Sequence, residues 1–162
     1  MTCFIKCKLL VVAILMAATV TTYAQNSSDV ENAVKGLVAK YERTKGVEAM
    51  SVAKGNGLEL VKMMINKEFG KSFTKGVKSI TIIDYTDSSQ ETCNSLRKDL
   101  DVFLTLLQEF DLSEEKSFSG NDFIRCFADV QETTSTLSDF VIVIEEEKSK
   151  MFMYMAGKIN ID

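Results

Sequence analysis

Histidine, proline and tryptophan are all missing from this sequence. Without histidine, neither a Ser-His-Asp nor a Cys-His catalytic arrangement can be built, and a histidine-ligated zinc site is excluded. Without proline there is no cis-prolyl turn and no rigid proline linker to mark a domain boundary. A paired-carboxylate glycosidase needs only two acids, but with no tryptophan the chain offers no recognisable platform on which a sugar could stack. Cysteine is scarce as well. Cys3 and Cys7 fall in the first few residues, which leaves Cys93 and Cys126 in the body of the chain, too few for a four-cysteine metal site.

What is present begins with an export signal. Lys6 and Lys8 precede an uncharged apolar run from Leu9 to Val20, and Thr22-Tyr23-Ala24 places small residues where signal peptidase requires them. The run falls short of the roughly 20 residues that span a bilayer as a helix. Residues 1–24 therefore read as a cleaved signal peptide, with the mature chain starting at Gln25. Both early cysteines precede the apolar run, whereas a lipidated cysteine would follow it. Residues 25–162 then form a single domain, exported to the periplasm or secreted, with no stable membrane span once the signal is removed.

Residues 1–24 carry two lysines and no acid, so the remainder holds 17 basic against 23 acidic side chains, a net charge of −6. That balance argues against nucleic acid, whose phosphates need a basic stripe, and against electrostatic docking on anionic lipid. The length suffices for one sizeable core.

Hydrophobic periodicity places a first helix from about Val30 to Arg43, a strand at Val47–Ala53 and a second helix at Leu58–Glu68. Gly70 to Gly76 reads as a loop. Val77–Tyr85, rich in β-branched residues, is the clearest strand. Asp87-Ser88-Ser89 resembles a cap for a long helix reaching about Phe110, with Cys93, Leu96, Leu100, Phe103, Leu104 and Leu107 along one stripe. After an acidic connection, strands at Asp122–Gln131, Ser138–Glu145 and Lys150–Asn160 close the chain. The expected fold is α+β, with the order α-β-α-β-α-β-β-β. It comprises an antiparallel sheet of about five strands with two or three helices on one face.

Catalytic and ligand patterns are weak. Ser-x-x-Lys occurs four times, at Ser51/Lys54, Ser72/Lys75, Ser95/Lys98 and Ser113/Lys116. A pattern that recurs so often in a serine- and lysine-rich chain, without its companion elements, carries no specificity. Gly55-Asn56-Gly57 sits between a strand and a helix, where backbone N–H groups can cradle a phosphate. The third glycine position of that fingerprint is Leu60, and no Walker lysine follows. Asp84, Asp87, Glu114, Glu115, Asp122 and Glu145-Glu146-Glu147 lack calcium-loop spacing and read as a solvated acidic surface. No cofactor or metal is expected, and the chain does not read as an enzyme.

Cys93 lies on the long helix's apolar stripe, and Cys126 shares a strand face with Ile124 and Ala128. In an exported protein the pair can close a disulfide, around a loop of about 33 residues worth roughly 3–4 kcal/mol in the chain-entropy model. Two separately buried thiols are the alternative. The final strands are apolar on both sides: Phe140, Ile142 and Ile144 alternate with Val141 and Val143, and Met151, Met153 and Met155 alternate with Phe152 and Tyr154. A half-solvated sheet shows polar residues at every second position. One reading makes Met151, Phe152, Met153, Tyr154 and Met155, with Phe123 and Phe127, an association face. The other brings the N-terminal helix across to cover the second face as core.

The signal peptide, the short helix before a Gly-Val strand, the strand GVKSITIIDY, the long helix and the meander ending in Ala156-Gly157-Lys158-Ile159 occur together in one known family. In these features the chain resembles a domain-of-unknown-function family (DUF4252-like) of small exported proteins from Bacteroidetes-type bacteria. The resemblance spans nearly the whole mature chain, rests on structural rather than chemical motifs, and assigns no site residues. It implies a place in the cell envelope and a link to envelope signalling. The expected function is a non-enzymatic domain that binds an envelope protein or itself. The alternative is a binder of a small apolar ligand in a pocket between sheet and helices.

Overall fold

The computed structural model describes residues 27–109, 113–119, 122–130 and 136–160. Residues 1–24, read from the sequence as a signal peptide, lie outside them. In chain order the elements are α1 (Ser27–Tyr41), β1 (Glu48–Val52), α2 (Gly55–Phe69), β2 (Gly76–Asp84), α3 (Gln90–Glu109), β3 (Ser113–Ser119), β4 (Asp122–Val130), β5 (Thr136–Glu146) and β6 (Ser149–Asn160). The strands form one antiparallel sheet of six, in the order β1-β2-β6-β5-β4-β3.

The α+β antiparallel fold is as the sequence indicates, with one strand more. The added strand, β3, is the segment that reads as an acidic connection. Its sequence, SEEKSFS, is mostly polar and has little strand propensity. It lies at the sheet edge and pairs with β4 alone. Charged residues are what an edge strand tolerates and a central strand does not.

The sheet is buried on both sides. Over one face lie α1 and α3, whose stripes Val30, Val34, Leu37, Tyr41 and Cys93, Leu96, Leu100, Phe103, Leu107 pack on Ile83, Phe127, Val141, Val143, Phe152 and Tyr154. Phe103 meets Phe152 edge to face, with ring centroids 5.5 Å apart. On the opposite face Leu58 and Ile65 of α2, together with Phe73, belong to a second core with Ile80, Ile124, Cys126, Phe140, Ile142, Met153 and Met155. Two helices thus share one face and the third lies across the sheet from them. The element that crosses over is α2, not the N-terminal helix.

That placement explains why the last two strands are apolar on both sides over Phe140–Ile144 and Met151–Met155: both of their faces belong to cores. It also corrects the reading of an association face. Phe127, Phe152 and Tyr154 are buried, and Phe123 packs beside them, on the α1–α3 side. Met153 and Met155 are buried, and Met151 packs, on the α2 side. These seven residues do not share one face, and the apolar alternation reflects burial within the chain.

The cysteines are parted in the same way. Cys93 lies in the α1–α3 core and Cys126 in the α2 core, both as buried thiols. The sheet stands between them, so the Cys93–Cys126 bridge does not form.

The β2, β5 and β6 ladders share an irregularity. Register shifts lie between Val77 and Ser79, opposite Gly157 and Ala156, and between Ser138 and Phe140, opposite Lys158 and Met155. Gly157 takes a φ of 105° there, and a Cβ on it would lie 2.5 Å from the Gly76 carbonyl oxygen. Only glycine fits that approach. Asp139, at the same bulge, adopts a φ of 50°, and its buried Oδ1 accepts a 2.7 Å hydrogen bond from the Tyr154 hydroxyl.

Candidate functional site

Two buried polar groupings invite an enzymatic reading. On the α1–α3 side, the Tyr85 hydroxyl donates to Glu145 Oε1 at 2.8 Å, and Arg97 donates to Glu145 Oε2. Burial, and then the adjacent carboxylate, hold Tyr85 protonated well above the ordinary tyrosine range. Tyr154 is raised likewise, first by burial and then by its hydrogen bond to Asp139. Displaced ionisation is a mark of active sites. Here, however, Tyr85 is 0% exposed, Glu145 3%, Tyr154 1% and Asp139 6%, and of these groups only Arg97 reaches the surface. They pin helix to sheet and strand to strand.

Two of the four serines of the Ser-x-x-Lys patterns bond elsewhere. Ser51 Oγ pairs with Thr81 Oγ1 at 2.9 Å, and Ser95 Oγ pairs with the Tyr41 hydroxyl at 3.1 Å. Gly55-Asn56-Gly57 forms the first turn of α2. Among the described residues, no group of three or more metal-type side chains assembles, and no helix is long and apolar enough to cross a membrane.

The feature that stands out is α2 with the loop after it. Leu58 and Ile65 point into the core and Val61 packs against it, which leaves Glu59, Leu60, Met63, Met64 and Lys67 facing outward. That outer surface is not polar throughout: Leu60, Met63 and Met64 are 55%, 52% and 60% exposed. The helix stops at Gly70, whose φ of 121° suits glycine alone and whose N–H donates to the Asn66 carbonyl.

The following turn is held rigidly. Asn66 Oδ1 accepts from both the backbone N–H and the hydroxyl of Thr74, each at 3.0 Å. Phe73 is buried in the core, and its carbonyl accepts from the Asn160 N–H at 3.1 Å. Phe73 N–H, Lys75 N–H and Val77 N–H are each satisfied inside the turn.

Between this turn and the helix lies a groove of about 780 Å³, lined by Glu59, Lys62, Met63, Asn66, Lys67, Gly70, Lys71, Thr74 and Lys75. Lys62 is largely covered and faces Glu59 at 3.4 Å. Among the described residues no acid pairs with Lys67, Lys71 or Lys75, and all three are exposed. A chain that is acidic overall thus gathers lysines without an acidic partner among the described residues at one groove, which Met63 also lines. Sequence reading passed over these lysines because 70–76 reads as a plain loop. The available signal was the four-residue spacing of Lys67, Lys71 and Lys75.

A smaller groove of about 280 Å³ runs between α1 and α3, beside Ala33, Leu37, Val102 and Leu106. It lies between two helices, not in a pocket between sheet and helices. At its end Asp99 Oδ2 accepts from the Tyr41 hydroxyl and from Lys40 Nζ, each at 2.5 Å. Burial alone would raise the Asp99 carboxyl, but these two donors hold it below the usual carboxylate range.

Comparison with protein-family models, curated proteins and solved structures finds no match to this chain.

Proposed function

We propose that this chain is an exported, non-enzymatic binding domain of the cell envelope, working through the outer surface of α2 and the turn at 70–75. The observation that carries this reading is the exposure of Leu60, Met63 and Met64 on one helix, next to a groove with three lysines that no acid pairs among the described residues. Large apolar side chains in a cluster mark contact surfaces, and methionine adapts to varied partners. The buried polar groups are satisfied within the cores, which favours a binding role over a catalytic one. The signal-like N-terminus and the resemblance to small exported proteins support the envelope location. The partner is an envelope protein or a second copy.

A photocrosslinking residue at Met64, on the full-length protein expressed in its native host, tests the reading. A discrete adduct heavier than the monomer is expected, and it should be absent when the probe sits at Lys98 on exposed α3. Equal, diffuse labelling at both positions would refute the assignment of this surface.

A further inference from the structure

Resting on that reading, we infer that the groove between α2 and the 70–75 turn takes an acidic amphipathic segment of a partner protein. Its carboxylates meet Lys67, Lys71 and Lys75, and its apolar side chains lie on Met63 and the neighbouring Leu60 and Met64.

Charge complementarity is the first argument. Acids outnumber bases by six in residues 25–162, yet among the described residues this groove carries four lysines against the single Glu59. At physiological salt, charges further than about 8 Å away are largely screened. A bound segment therefore feels the local lysines more than the distant acidic surface. Lys67 projects from the last turn of α2, and Lys71 and Lys75 from the turn that follows it, where the backbone N–H groups of Phe73, Thr74, Lys75 and Val77 are already bonded. Little ordering cost remains for binding, which favours a preformed site.

The composition of the rim selects among anions. Arginine is absent from the lining, so the forked, bidentate grip suited to a fixed planar anion is missing. Lysine ammoniums are point charges on flexible stems, and they tolerate carboxylates at variable positions. The exposed Leu60, Met63 and Met64 offer nothing to an inorganic anion but complement apolar residues interleaved with acids. A groove of about 780 Å³ has room for several side chains. Laying one face of an amphipathic segment into such a groove is a common recognition mode.

The test is fluorescence anisotropy with the mature protein and a labelled peptide carrying Glu on one helical face and Leu on the other. Saturable binding is expected, weakening as salt rises. The double variant Lys67→Glu/Lys71→Glu should weaken it by about tenfold, and Met63→Ser should weaken it at unchanged salt dependence. Lys98→Glu, an exposed charge change far from the groove, should leave it unaltered. These are surface positions, and unchanged circular dichroism will confirm folding.

Equal loss with Lys98→Glu would reduce the binding to non-specific charge attraction and overturn the inference. So would tighter binding of inorganic tripolyphosphate or of phosphatidylglycerol vesicles than of the peptide. Sedimentation that shows a dimer abolished by Lys67→Glu would assign the groove to a second copy and refute the partner segment. If the peptide fails while the Met64 crosslink persists, the acidic segment is wrong and the interaction reading stands. If both fail, both fall.

Discussion

Tyr85, just past β2, donates its hydroxyl to the Glu145 carboxylate of β5 at 2.8 Å, and Arg97 of α3 holds the other oxygen. One buried carboxylate thus links the β2 end, the long helix and a central strand. A hydrogen bond to a charged acceptor is worth roughly 1.5–3 kcal/mol. Tyr85→Phe removes that donor from a buried acceptor and should lower the unfolding free energy by about 2 kcal/mol in urea denaturation at neutral pH.

The same tyrosine sets an alkaline limit. Its ionisation is raised in the folded state, first by burial and then by Glu145. A group raised on folding contributes its full stability below its unfolded value, about 10 for tyrosine, and loses it as pH rises above that. Stability should therefore fall above pH of about 10. Denaturation midpoints between neutral and strongly alkaline pH should fall less steeply for Tyr85→Phe than for the wild type. Parallel curves would show that Tyr85 does not titrate on unfolding.

Asp99 produces the opposite trend. Burial acts to raise it, but the hydrogen bonds from Lys40 and Tyr41 outweigh burial and lower it. Its contribution is present above the unfolded carboxylate value of about 3.9 and is lost as pH falls through the folded one. Asp99→Asn should be less stable at neutral pH and show a shallower acid transition, read by thermal melts from pH 7 down.

Two glycines should respond in opposite directions to alanine. Gly157→Ala forces a side chain into positive φ and against the Gly76 carbonyl, at a cost of about 2 kcal/mol or more. Gly36 lies within α1 with open space around an added Cβ, so Gly36→Ala should stabilise by about 0.5–1 kcal/mol. Differential scanning calorimetry of both variants decides the point.

The thiols should be insensitive to redox conditions. With Cys93 and Cys126 on opposite faces, a protein of residues 25–162 should melt at the same temperature with and without reductant. Both thiols should react with alkylating agents only after unfolding. A melting point lowered by several degrees on reduction would mean that the two are bridged.

Helix stripes were legible in the sequence because a helix interior repeats at 3.6 residues. Cys93, Leu96, Leu100, Phe103, Leu104 and Leu107 are buried together, as that period requires. The edge strand Ser113–Ser119 escaped because its stability comes from pairing with β4 and not from its own residues. The lysine groove was missed for a related reason: Lys62 and Lys67 on a helix meet Lys71 and Lys75 on a turn only through the Asn66–Thr74 and Phe73–Asn160 bonds.

What the sequence determined by itself was the fold class, most element positions and the exclusion of histidine chemistry, because local periodicity and composition act without knowledge of the fold. Which face each element covers was decided only by the tertiary structure. Phe152 and Met153 are adjacent and equally apolar, and a strand sends them to opposite sides whatever covers those sides. Once α1 and α3 occupy one face, the stripe of α2 finds its burial on the other. That division separates Cys93 from Cys126, turns an apparent association surface into core, and leaves Leu60, Met63 and Met64 facing outward.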